Sequence, residues 1–280
     1  MTAVLLALLT AVCYGGANYL GPVLSRRMPL GGVLIVGQVA SLLGACIYVT
    51  VRGFGSPGVV GLLIGVAAGM VNGVALASFY RAAAAGPISI VAPIGATGAV
   101  VPVVVALVSG ERPALVQLIG IPVAVVGVVL AAARPRRRED AAPVAAAGIG
   151  LSLFAAAAFG SFLAVFAAAS RHGAPAAVVT SRAALLVCTV IVVLSAGLPY
   201  RVARRDLPIT VLPGLLLLAG TVAFGIATTT GLVSIVSVLA TLSPVVTVGL
   251  AVLVLGERLV GRQRIGVLVA LFGVVLLAAG

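Results

Sequence analysis

Ten apolar stretches, each long enough to span a membrane, divide this sequence. About 20 helical residues cross the hydrocarbon core of a bilayer, and the stretches lie near 2–24, 31–51, 58–80, 87–109, 114–133, 144–169, 176–198, 209–229, 232–254 and 263–280. The alternating segments of a membrane barrel are absent, and backbone in lipid must bond to itself. With 62% hydrophobic and 8% charged residues, the chain is too apolar for a soluble domain. The sequence predicts an all-α integral membrane protein with ten transmembrane helices.

The basic residues are distributed unequally between the two sets of loops. All 17 are arginine, and only Arg52, Arg112 and Arg171 lie in the loops after even-numbered spans. The loops after odd-numbered spans carry 13: Arg26, Arg27, Arg81, Arg134, Arg136, Arg137, Arg138, Arg201, Arg204, Arg205, Arg258, Arg262 and Arg264. The positive-inside rule predicts that these loops are cytoplasmic and that both termini lie outside the cell membrane. Because no aromatic residues interleave with the arginines, no nucleic-acid partner is expected.

One short cassette occurs twice in the chain. SGERPALVQLIG at 109–120 and LGERLVGRQRIG at 255–266 are identical at six of 12 positions, with an offset of 146 residues. The similarity between the two halves extends on both sides of the cassettes. It predicts two five-span repeats at 1–133 and 144–280, joined by a basic loop at 134–143. Because five is odd, the second repeat must enter the membrane from the opposite side. Inverted repeats of this kind are typical of secondary transporters, whose site lies between the repeats near the midplane.

Several longer segments resemble a known family. They are AVCYGGANYLGPVLSRR in the first span, FYRAAAAGPISIVAPI across the third loop, and GLVSIVSVLATLSPVVTVGLAVLVLGERL at 231–259. Together with the GER cassettes, they make the chain similar to ten-span, EamA-type members of the drug/metabolite transporter superfamily. The resemblance implies a basket of ten helices that carries a small organic metabolite. Family members commonly have both termini in the cytoplasm, so the arginine distribution departs from that pattern.

The positions of the acidic residues argue against several mechanisms. All five (Glu111, Glu139, Asp140, Asp206 and Glu257) lie in loops or at span ends, and the only histidine, His172, is in a loop. Proton relays in membranes use carboxylates or histidines inside the spans, and the first-span Glu of the small multidrug antiporters is missing. Because no His, Cys and acid cluster exists either, we expect no enzyme activity, no cofactor and no metal site.

Two sets of charged residues have both a structural and a functional interpretation. Glu111, Arg112, Glu257 and Arg258 follow glycines that end spans, so they either order the turn before the next helix or form an ion-pair gate. Arg182, about six residues into the seventh span, either snorkels to the interface or contacts an anionic group of the substrate. Its counterpart in the first repeat is Gln38.

Weakly polar side chains inside the spans are the candidates for substrate binding. The alternative is that their hydroxyls bond to their own backbone and their rings only pack. Pro93 and Pro244 would free backbone carbonyls at mid-depth, and Gly61, Gly65, Gly69 and Gly73 form a ridge for close helix packing. The candidate substrate-binding residues are Tyr14, Asn18, Asn72, Tyr80, Ser89, Thr97, Phe159, Phe224, Ser234, Ser237 and Thr241.

These features predict a transporter for a small neutral or zwitterionic metabolite, such as an amino acid. Export or exchange is favoured because no titratable group within the spans could couple uptake to protons. The alternative is a lipid-carrier flippase on the same scaffold, for which Arg182 would be the headgroup site. The expected partners are the small-molecule substrate and the lipid bilayer, and the protein is expected to be a monomer or a homodimer.

Overall fold

A computed structural model describes residues 1–85, 94–133, 146–255 and 261–279, and every regular element within these ranges is helical. The helices are α1 (Thr2–Ser25), α2 (Leu30–Arg52), α3 (Gly58–Ala85), α4 (Ile94–Val108), α5 (Leu115–Ala132), α6 (Ala146–Arg171), α7 (Ala174–Ser195), α8 (Leu207–Thr230), α9a (Val233–Ala240), α9b (Ser243–Leu255) and α10 (Gly261–Ala279).

The helix lengths agree with ten membrane crossings. Within the described ranges, nine segments are long and apolar enough to span a bilayer, with α9a and α9b counted as one, and α4 is a shorter apolar helix. The large exposed side chains on these helices are mainly Leu, Val and Ile, as expected for a surface that faces lipid. The predicted fold class is therefore confirmed.

The loops gather at two ends of the bundle. At the end that holds Met1, which we call the N-terminal end, Gly61 packs against His172, and Glu111 contacts Val233. At the opposite end, which we call the arginine-rich end, Gly31 and Gly32 pack against residues 198–202. Consecutive helices thus alternate in direction between the two ends.

Several contacts between the two repeats occur twice, with equivalent residues of the two repeats exchanged. Gly127 packs against Ala270, and Gly273 packs against Ala124, so the second contact is the first with each residue moved by 146 positions into the other repeat. Gly15 lies against Ser243 and Val246, while Gly160 lies against Gly98 and Val101, with an offset of 145. A pseudo-twofold axis between the halves produces this exchange, as an inverted duplication requires.

The glycine ridge of α3 packs on the neighbouring repeat, as predicted. Gly65 lies against Thr180, Gly69 against Ser181 and Ala184, and Gly73 against Cys188, all on α7. A missing Cβ at each position lets the two backbones approach closely. This contact packs α7, which carries Arg182, closely against α3.

Two helices are interrupted at equivalent positions. α4 contains a 3₁₀ turn at Thr97–Ala99, and α9a is separated from α9b at Thr241 and Leu242. Pro244 occupies the first turn of α9b, where a residue without a backbone N–H is tolerated. Interrupted helices near the midplane expose backbone polar groups at the depth where transporters bind substrate.

Candidate functional site

Arg182 lies near the middle of α7, with its side chain buried among helices. It is the ninth of 22 residues in the helix and is only 3% exposed. One of its terminal nitrogens donates a hydrogen bond to the Leu217 carbonyl of α8 at 2.8 Å. The helix begins at Ala174, earlier than the sequence predicts, so Arg182 is about 12 Å from the helix start. The guanidinium is therefore inside the bundle, and the snorkelling interpretation is wrong.

Tyr14 connects α1 to the part of α8 that Arg182 contacts. Its hydroxyl shares a 3.0 Å hydrogen bond with the Thr221 hydroxyl, which also donates to the Leu217 carbonyl at 2.8 Å. The Leu217 carbonyl thus accepts hydrogen bonds from both the Thr221 hydroxyl and the Arg182 guanidinium. We call Tyr14, Arg182 and Thr221 the midplane cluster. It combines one helix of the first repeat with two helices of the second.

Some buried polar atoms of the bundle have no hydrogen-bond partner among the described residues. They are the Arg182 Nε, the Gln38 Oε1 and the Ser41 Oγ, together with the Ser237 Oγ of α9a. Gln38 and Ser41 lie on α2, which packs against both α7 and α8. Leaving a buried polar atom unpaired costs about 1–3 kcal/mol, so three such atoms on adjacent helices suggest a site whose ligand supplies the partners.

Glu111 caps a helix of the opposite repeat. One carboxylate oxygen accepts the backbone N–H of Val233 at 2.7 Å, and the other accepts the N–H and the hydroxyl of Ser234 at 3.0 and 2.7 Å. These N–H groups begin α9a, where a negative charge is favourable. The sequence suggests a favourable effect of this carboxylate on the start of the next helix, α5, where the Gln117 side chain accepts the Ala114 N–H.

The structure gives no support to an ion pair within the first cassette. Arg112 is exposed, and the ion pair found among the described residues joins Arg205 to Asp206 at 3.9 Å. Gly110 ends α4 with a φ of 94°, a left-handed conformation that glycine adopts without strain. Glu257 and Arg258 of the second cassette lie outside the described residues.

The other predicted site residues occupy several places. Thr97 and Thr241 donate to backbone carbonyls three residues earlier, at Ile94 and Val238. Asn18 is exposed and Asn72 is partly buried. Ser89, Pro93 and the Tyr80 side chain lie outside the described residues.

The predicted aromatic residues pack against other rings. The Phe159 ring meets the Phe79 ring edge-on at 6.4 Å between centroids. Phe224 is fully buried against Phe166 at 6.2 Å, and Phe162 extends the row at 5.7 Å from Phe166. This row links α6 to α8 in the core.

Comparison with known proteins bears on the family of the chain. The sequence model of the EamA-like transporter family matches residues 146–279. Residues 146–279 belong to the EamA-like transporter family. The predicted resemblance is confirmed over residues 146–279, and this match supports a multi-pass membrane transporter of the drug/metabolite transporter superfamily.

Comparison with solved structures shows a shared fold over nearly the whole chain. One crystal structure matches with a TM-score of 0.78 at 15% sequence identity, and the match covers 99% of this chain and 97% of the other. At this identity the likeness shows the fold alone. No curated protein matches the sequence.

Among the described residues, a cleft is found at each end of the bundle. The cleft at the N-terminal end has a volume of about 510 Å³ and is lined by residues that include Arg112, Gln117 and Gly231. The cleft at the arginine-rich end, of about 380 Å³, lies beside Pro29 and Leu198. Neither is lined by the polar residues predicted to bind substrate.

Sequence reasoning missed the contact that Glu111 makes with α9a. Its partners are 122 and 123 residues away, and no local pattern signals such a pairing. The Ser234 hydroxyl in the first turn of the ninth span was an available signal, because such a residue caps a helix or binds its cap. The hydrogen-bonding capacity of Ser41 was also missed, since a single serine in an apolar span is common.

Proposed function

We propose that this transporter moves a small neutral or zwitterionic organic metabolite, such as an amino acid, by alternating access between its inverted repeats. The observation that carries the proposal is the midplane cluster. Its three residues come from both repeats and lie away from both ends of the bundle. One of them, Arg182, has no acidic partner among the described residues. Sites of inverted-repeat transporters are found at this depth and between the repeats.

Alternating access requires that one end open while the other closes. In the present conformation, Glu111 holds the start of α9a against the loop between α4 and α5, which ties the repeats together at the N-terminal end. We infer that this contact breaks when that end opens. Because the repeats are related by a pseudo-twofold axis, the two open states can be close in energy.

We also infer that transport is exchange or downhill export. No acidic residue of the chain lies inside a span, so a carboxylate relay for protons has no residues to use. Proteoliposomes with a pH-sensitive dye in the lumen check this inference. We expect no pH change when substrate is added, and acidification on substrate addition would contradict it.

The exposed arginines support a proposed orientation in the membrane. Arg26, Arg27, Arg201, Arg204 and Arg205 are exposed at the arginine-rich end, and we infer that this end faces the cytoplasm. A cysteine introduced at Met1 should then react with an impermeant thiol reagent in intact cells. Reaction only after the cells are permeabilised would reverse the orientation.

Counterflow in proteoliposomes tests the proposed function. Vesicles that contain the purified transporter are preloaded with unlabelled amino acids, and the entry of labelled amino acids is compared with protein-free vesicles. We expect accelerated exchange of at least one amino acid. No exchange, together with movement of a fluorescent lipid analogue between leaflets, would favour the flippase.

A further inference from the structure

We propose that Arg182 binds the carboxylate of the substrate and that the Gln38 amide oxygen accepts a hydrogen bond from a neighbouring donor group, which selects zwitterionic, amino-acid-like molecules. This inference rests on the proposed transport function and narrows its substrate class. The argument starts from the charge of Arg182. A cation inside a membrane protein needs an anion or several hydrogen-bond acceptors to offset its lost hydration.

The described part of the chain provides Arg182 with little compensation. Its guanidinium has five N–H donors, and the hydrogen bond found is the one to the Leu217 carbonyl. The Nε is buried and unpaired. Glu111 is already engaged with α9a, and Asp206 lies near Arg205. A carboxylate from a ligand would supply both the missing charge and a bidentate acceptor.

Helix register places Gln38 close to Arg182 along the bundle axis. Gly31 packs against Val193, and α2 and α7 run in opposite directions from that contact. Gln38 is then about 10 Å along α2, and Arg182 about 16 Å along α7, so they differ by roughly one turn. Arg182 and Val193 belong to the buried residues of α7, and Gln38 follows Gly31 by two turns on α2. Both side chains therefore lie at the α2–α7 contact.

Ser41 lies at nearly the same level as the Arg182 hydrogen bond. Gly37 of α2 packs against Gly214 of α8, and these two helices run in the same direction. Ser41 is four residues beyond the first glycine, and Leu217 is three residues beyond the second. The unpaired atoms are thus one donor, one acceptor and one hydroxyl. A molecule with a carboxylate and an ammonium on the same carbon offers hydrogen-bond partners to all three.

The closed state of the site agrees with alternating access. Arg182 is 3% exposed, so no solute reaches it in this conformation from either end. Opening of one end must therefore precede binding. A buried arginine used only as a structural tie needs no such access, and this difference makes the proposal testable.

The test compares each amino acid with its own carboxamide, which keeps the side chain and amine but removes the carboxylate. Counterflow is measured with wild-type protein, Arg182→Met, Arg182→Lys and the control Arg171→Met, whose arginine is exposed at a helix end. For the wild type we expect the amide to compete about 10-fold to 100-fold less well than the acid. Arg182→Met should lose this preference, Arg182→Lys should retain part of it, and the control should retain all of it.

The possible failures are distinguishable. Equal competition by acid and amide in the wild type would overturn the carboxylate site and leave the proposed transport function intact. If Arg182→Met folds, as judged by gel filtration, but loses acid and amide transport equally, the arginine is only a structural tie. If the wild-type protein exchanges neither compound, the proposed function fails and this inference fails with it.

Discussion

At the scale of single residues, Glu111 connects the two halves of the molecule. Its carboxylate accepts three hydrogen bonds from the start of α9a, while the neighbouring Arg112 is exposed. The Gly-Glu-Arg sequence at 110–112 thus contains residues with different roles. Glycine ends the helix, and the glutamate reaches across to the other repeat.

A pair of substitutions separates these roles. Glu111→Gln removes one acceptor oxygen and turns an amide N–H toward a helix start, so we expect a loss of about 1–3 kcal/mol in the free energy of unfolding. Arg112→Gln should change it by less than about 0.5 kcal/mol. Thermal unfolding of the detergent-solubilised proteins measures both. If Arg112→Gln lowered the Tm as much as Glu111→Gln, the ion-pair interpretation would be correct instead.

The same residues show what the sequence can and cannot predict. Hydropathy locates the spans because lipid imposes a length and an apolar composition on each one separately. The depth of Arg182 was misjudged because the helix begins at Ala174, two residues before the predicted start at 176, which places Arg182 about 3 Å deeper. Contacts between repeats, such as Glu111 with Ser234, depend on packing between distant segments. The local sequence pattern around each residue does not determine these contacts.

At the scale of helices, the α3–α7 contact depends on glycine. A Cβ at Gly69 would collide with the Ser181 carbonyl oxygen and lie 2.7 Å from the Ala184 Cβ, whereas a Cβ at Gly150 on α6 would meet no atom within 4 Å. Gly65, Gly69 and Gly73 therefore set the distance between α3 and α7. That distance in turn fixes α7 and Arg182 relative to α2 and α8.

Two alanine substitutions with opposite effects check this point. Gly69→Ala should lower the free energy of unfolding by about 1–3 kcal/mol, because the two backbones must separate. Gly150→Ala should leave it unchanged or raise it by up to about 1 kcal/mol, since alanine is the better helix former. Both are measured by thermal unfolding in detergent. Equal loss of stability in the two variants would show that close packing at Gly69 is unimportant.

At the scale of the whole molecule, the pseudo-twofold axis links structure to transport. The exchanged contacts of Gly127 with Ala270 and Gly273 with Ala124 show that α5 and α10 meet symmetrically. At the N-terminal end, Glu111 ties the two repeats together in this conformation. A second conformation with this end open would complete the alternating-access cycle.

Reversible cross-linking of the N-terminal end tests the central claim most directly. Glu111→Cys and Ser234→Cys are combined in a protein whose Cys13, Cys46 and Cys188 are replaced by alanine, and the new pair is joined with a short bifunctional methanethiosulfonate. The Glu111→Cys single variant is the control. If the N-terminal end opens during transport, amino-acid counterflow should stop on cross-linking and return on reduction, with no effect in the control. Undiminished counterflow in fully cross-linked protein would contradict the account.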